Sequence, residues 1–178
     1  ATGGNFSCRL SDRLMAVTAS GCHKGRLTSG DILVSDFAVR LQGTSRKASD
    51  EARLHGQLYE DLPHAQAILH THSRAATVLS LCHEGDTLSL EGFELNKALE
   101  GVKSHETAVR LAVFDNTQDI EALALDVRAR LAADADLHGL GTATHYHASY
   151  VRPGWARRLQ KLGRIGRHIF FARKRNGP

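Results

Sequence analysis

With 178 residues, 42% of them hydrophobic and 24% charged, the chain has the size and balance of one globular domain, which excludes a disordered or low-complexity protein. No apolar run approaches the ~18 residues of a membrane-spanning helix, so no membrane partner is expected. Three cysteines, Cys8, Cys22 and Cys82, exclude a disulfide-dense scaffold; none sits in a CxxC pair, and a reduced, cytoplasmic setting is expected. The net charge of +4 is uneven: residues 1–136 hold all 19 acidic residues against 14 Lys and Arg, while residues 137–178 hold 9 Lys and Arg and no acid. A catalytic-sized domain over residues 1–150 and a basic, loosely packed tail over residues 151–178 are expected. Only its composition suggests a nucleic-acid arm.

The chain opens without Met on Ala1-Thr2-Gly3-Gly4-Asn5-Phe6-Ser7, and a preceding helical segment is expected. Gly3 and Gly4 let backbone N–H groups approach a ligand, and Asn5 adds a side-chain donor; a simple tight turn is the alternative. Residues 14–18 read as a strand. Ser20-Gly21 and Lys24-Gly25-Arg26 follow, a small hydroxyl, a glycine and a lysine suited to an anion such as phosphate, or to a solvated turn. Residues 31–37 alternate apolar and polar as a second strand, and residues 43–48 form a polar loop. Ser49 is expected to cap a helix with Asp50 and Glu51 in its first turn. Leu54, Leu58 and Leu62 form that helix's buried stripe, with Tyr59 beside them, and Pro63 ends it.

Ala67-Ile68-Leu69-His70-Thr71-His72 is then an apolar run entering two histidines one residue apart. In a strand, alternate side chains share a face, so His70 and His72 point the same way, roughly 6.5–7 Å apart along the chain. Two imidazoles converging from one strand end can grip a metal, zinc above all. Two ordinary histidines are the bland alternative. A helix is expected over residues 74–82, a strand over 87–90, a helical turn or two over 93–100 bearing Glu94 and Lys97, and a strand over 109–114. Asn116 or Thr117 is expected to cap the clearest helix, whose Ile120, Leu123, Ala124, Val127 and Leu131 recur at helical spacing.

In order along residues 1 to about 135, these motifs resemble the class II aldolase/adducin family: Thr2-Gly3-Gly4-Asn5-Phe6-Ser7, Ser20-Gly21, Ser49-x-Glu51, Gln57-Leu58-Tyr59, His70-Thr71-His72-Ser73, Glu91-Gly92-Phe93-Glu94-Leu95, His105-Glu106-Thr107-Ala108 and Asn116-Thr117-Gln118-Asp119. The resemblance implies a three-layer α/β/α sandwich around a mostly antiparallel sheet, assembled as a homotetramer with active sites near subunit boundaries. It implies zinc held by His70, His72 and a third histidine, taken as His145, with His138 and His147 as alternatives because the usual His-Gly context is altered. It places a sugar phosphate against Gly4, Asn5, Ser20, Gly21, Lys24 and Ser49. Within the family the motifs lie nearest the branch that dehydrates 5-methylthioribulose 1-phosphate, with Glu94 as acid/base. Zinc-dependent aldol cleavage or epimerisation, in which Glu51 would be the zinc-side base, is the alternative. A non-catalytic, adducin-like role is a third.

Overall fold

The computed structural model describes residues 4–72, 78–79, 82–99, 102–115, 117–134, 139–142 and 147–150, the last two segments by their backbone alone. The eight strands are β1 (Asn5–Arg9), β2 (Leu14–Thr18), β3 (Ile32–Asp36), β4 (Ala67–Thr71), β5 (Thr87–Leu90), β6 (Val109–Phe114), β7 (Gly139–Thr142) and β8 (His147–Tyr150). They form one sheet in the order β3-β2-β1-β4-β8-β7-β6-β5. Among the described strands only β6 and β7 run parallel, and every other pairing is antiparallel. The α/β class and mostly antiparallel sheet implied by the resemblance are therefore observed.

Two α-helices are described, α1 (Ala52–Asp61) and α2 (Ile120–Ala133). Their apolar stripes face a shared core in which Leu54, Leu58, Leu123, Ala124 and Val127 pack with Met15, Val17 and Leu33 of the sheet. Burial of this stripe, rather than helix propensity, holds elements this short. The helix expected over residues 74–82 lies largely outside the described residues, as does the tail beyond residue 150.

Arg9 locks the end of α1 to β1. Its guanidinium donates to the carbonyls of Ala65 at 2.8 Å and Leu62 at 3.2 Å and also to that of Tyr59. It lies 4.8 Å from the Tyr59 ring centre and 5.1 Å from that of Phe37. A cation at a helix C-terminus satisfies carbonyls left over by the last turn and meets the negative end of the helix dipole.

Two expected caps differ. Ser49 does not cap α1; its hydroxyl donates to the Glu51 carboxylate, and the helix begins at Ala52 with Glu51 as the flanking residue. At α2 the cap is Asp119, whose carboxylate accepts from the Ala122 N–H at 2.9 Å, rather than Asn116 or Thr117. At α1 the Glu51 carboxylate engages the Ser49 hydroxyl as a donor, and at α2 the Asp119 carboxylate takes the cap itself, an ionised acceptor making the stronger hydrogen bond.

Candidate metal and sugar-phosphate site

The site is built where β1 begins, β4 ends and α1 starts. Asn5 pairs directly opposite His70 in the antiparallel register, so the two share one face of the sheet. Gly4, just before, has φ +82° and lies against the His70 carbonyl, where any Cβ would overlap the backbone oxygen. Glycine is required there twice over, by its left-handed backbone and by the close approach.

His70 is 4% exposed, and its ring lies 4.8 Å from that of His72, centre to centre, tilted by 33°. The shared strand face expected from the sequence thus brings the two imidazoles side by side. Such a pair fits two positions of a tetrahedral zinc set. Among the described residues no group of three His, Cys, Asp or Glu side chains is placed to hold a metal. His145 and His138 lie outside the described residues. The backbone register sets His147 opposite Thr71 and Ala148 opposite His70.

Glu51 closes the other side of Asn5. The Asn5 side-chain amide donates to Glu51 Oε2 at 3.1 Å, and the Ser49 hydroxyl donates to the same oxygen. Asn5 is 1% exposed, and its Oδ1 is buried without a hydrogen-bond partner among the described residues. Gly4, Asn5, Ser49, Glu51 and His70 thus form one continuous cluster. The Ala19–Ala48 bridge and the Ser20 N–H bond to the Lys47 carbonyl, 2.9 Å, carry the Ser20-Gly21 loop alongside Ser49. Gly21 sits at φ +74° with open space around it. Lys24 is turned back into its own loop, donating to the Cys22 carbonyl at 2.8 Å.

Glu94 stands elsewhere. It begins a 3-10 turn (Glu94–Ala98) after β5, at the sheet edge with three strands between β5 and β4. Its side chain is 68% exposed and ion-paired with Lys97 and with His105 Nδ1, the latter at 3.1 Å. The Lys97 hydrogen bond, and behind it the charges of Lys97 and His105, hold the Glu94 carboxyl below the ordinary glutamate range. No described contact joins Glu94 to the histidine pair. The sequence offered Ser7 only as the end of the opening motif and gave His55 no role, yet their bond lies beside Asn5 and Glu51. The available signal was positional: Ser7 is two residues from Asn5 on a strand, and His55 four from Glu51 on a helix.

The sequence profile of the Class II Aldolase and Adducin N-terminal domain matches residues 1–150. A methylthioribulose-1-phosphate dehydratase from Bradyrhizobium sp. is 49% identical over 134 residues, covering 75% of this chain and 61% of the relative. One from Sorangium cellulosum is 48% identical over 147 residues, covering 82% and 69%. The chain therefore spans less than two thirds of the Bradyrhizobium relative's length. Among solved structures, the L-fuculose-1-phosphate aldolase from Thermus thermophilus superimposes with a TM-score of 0.62 at 26% identity, covering 84% of this chain and 69% of that one. A profile match over residues 1–150 makes this chain a member of the class II aldolase and adducin N-terminal domain family.

Proposed function

We propose that residues 1–150 are the catalytic domain of a zinc-dependent, cytoplasmic dehydratase acting on 5-methylthioribulose 1-phosphate in methionine salvage. The observation that carries this reading is the 49% identity to a relative of that name. No described helix is long and apolar enough to cross a membrane, and Cys8, Cys22 and Cys82 are free.

His70 and His72, with a third histidine taken as His145 ahead of His138 and His147, would hold the zinc. When bound there, zinc supplies a Lewis acid that polarises the substrate ketone. The chain's own groups must then seat the phosphate and move protons. The phosphate fits the Gly4–Asn5 backbone, the Ser20-Gly21 loop and Ser49, with Lys24 close in sequence. Loss of water needs a proton delivered to the departing hydroxyl. Glu94 is assigned to that transfer, which requires a carboxyl whose pKa is raised by burial. In the single chain Glu94 is exposed and held as an anion. Phe93 and Leu95, 56% and 65% exposed, flank it with apolar surface that a second copy would cover. Assembly as a tetramer with its sites at subunit boundaries would bury the carboxyl and bring it to the histidines.

One observation favours a second reading. Glu51, not Glu94, shares the His70 end of the sheet through Asn5. In an aldolase acting on a related sugar phosphate, Glu51 would be the working carboxylate. Glu94→Gln keeps size and polarity and removes the titrating group. In a form of the protein with an intact C-terminal region, it is expected to lower kcat for water loss from methylthioribulose 1-phosphate by about 10²–10⁴, with KM little changed. Glu51→Gln should cost much less. If Glu51→Gln is the crippling change and only cleavage of fuculose 1-phosphate is observed, the aldolase reading replaces the dehydratase.

A further inference from the structure

The Asn5–Glu51 bond is the first rung of a longer polar seam running into the core. Along β1, Asn5 and Ser7 face α1; along α1, Glu51, His55 and Tyr59 recur every four residues and face β1. Ser7 Oγ lies 2.7 Å from His55 Nδ1 and 2.9 Å from the Tyr59 hydroxyl. Ser7, His55 and Tyr59 are 2%, 1% and 1% exposed. The second rung is thus wholly enclosed, one strand step below the site.

An apolar pair would fill this space without leaving an unsatisfied group, yet His55 Nε2 is buried with no hydrogen-bond partner among the described residues. Orphaned buried polar atoms are uncommon and ask for a reason. Apolar contact is non-directional and tolerates small slides of a helix over a sheet. A hydrogen bond is satisfied only over a few tenths of an ångström and a limited range of angles. The second rung therefore fixes how far α1 can shift along β1, and with it where Glu51 arrives relative to Asn5. Burial pushes the His55 imidazole down to about 3, so it stays uncharged and the rung keeps its form through the neutral range.

We propose that His55 is a positioning residue which, through Ser7, sets the register of α1 on β1 and so the orientation of Glu51 and Asn5 beside His70. Its functional weight rests on the placement of the sugar-phosphate site at this end of the sheet. The physical coupling can be read without zinc or substrate.

The readout is the Asn5 side-chain amide, followed by ¹H–¹⁵N NMR in the full chain and assigned by its disappearance in Asn5→Ala. In the parent, one amide proton is expected to be shifted downfield and protected from exchange by its bond to Glu51. His55→Leu should hold the melting temperature yet abolish that shift and protection. His55→Asn, whose side chain places a polar atom where Nδ1 stands, should restore both. Where His55→Leu does not fold, Ser7→Ala takes its place, with the same loss expected. An Asn5 amide unchanged in the folded variant, or lost equally in His55→Asn, overturns the proposal. Failure of the zinc reading would show instead as absence of zinc uptake by the parent, with the Asn5 amide behaving as expected.

Discussion

Glu51 and Glu94 each stand at the entrance to a helical turn, and the molecule treats them in opposite ways. Glu51 is half-buried and held by neutral donors, the Asn5 amide and the Ser49 hydroxyl, both on one oxygen. Glu94 is exposed and held by the cationic Lys97 and by His105. Neutral donors in a packed setting fix where a carboxylate sits. A surface ion pair favours the charged form while fixing position only weakly, because water competes and long side chains keep their freedom. The Glu51 end is therefore organised within a single chain. The Glu94 end is only partly organised, with the apolar Phe93 and Leu95 exposed around it.

The largest effects belong to the organised end. Replacing His70 and His72 together by Ala is expected to abolish binding of about one zinc per chain, the two imidazoles being half of a tetrahedral set. Elemental analysis of the purified double variant checks this, and undiminished zinc would sink the assignment. Gly4→Ala comes next. A left-handed backbone costs an L-residue about 1–2 kcal/mol, and overlap with the His70 carbonyl adds to it. Urea unfolding should show at least that loss, with weakened zinc binding, whereas Gly21→Ala, which meets no neighbour, should lose only the backbone part.

A third expectation concerns acid. His55 has a folded-state value of about 3 against an ordinary 6.5. Between these, the unfolded chain takes a proton that the folded chain refuses. This contribution to stability is full above about pH 6.5 and declines as the pH falls toward 3, by at most about 1.4 kcal/mol per pH unit. His55→Leu should flatten that part of the profile. An equally steep acid limb in the variant would mean that other groups carry it.

The same contrast explains what could be read from the chain. Strands β2 to β6 were legible because their apolar residues either alternate or run together. His70 and His72 were legible because a two-residue spacing on a strand means a shared face. Strand β1 was not, although it lies deep in the sheet order. Its inward residues are Asn5 and Ser7, both polar, and its Phe6 is only half-buried, so the usual pattern of apolar inside and polar outside is inverted. The inversion is stable only because α1 supplies Glu51, His55 and Tyr59 as partners, a fact of tertiary pairing that no local window contains. The helix starts were misread for a related reason. Ser49 and Thr117 have the right chemistry for a cap, but a nearby carboxylate took the hydroxyl in one case and the cap position itself in the other. His145 as the third zinc ligand falls outside the described residues.

The smallest effect tests the less organised end. A carboxyl held below its ordinary value adds stability above that value and loses it as the pH falls through the folded one. At Glu94 solvent screens this contribution, and Lys97→Met should leave the melting temperature unmoved. What should move is the titration of Glu94 itself. With the Lys97 hydrogen bond and charge removed, its carboxyl should titrate at a higher pH, observable by ¹³C NMR of the side-chain carboxyl. An unchanged titration would mean that His105 alone holds the charge, or that the pair is not formed in solution. A rise would identify the Lys97 hydrogen bond and charge as what holds the Glu94 carboxyl below its ordinary range. Proton donation to a leaving hydroxyl demands the opposite state. Burial would raise the Glu94 carboxyl by desolvation, and Lys97→Met removes the main influence that opposes that rise.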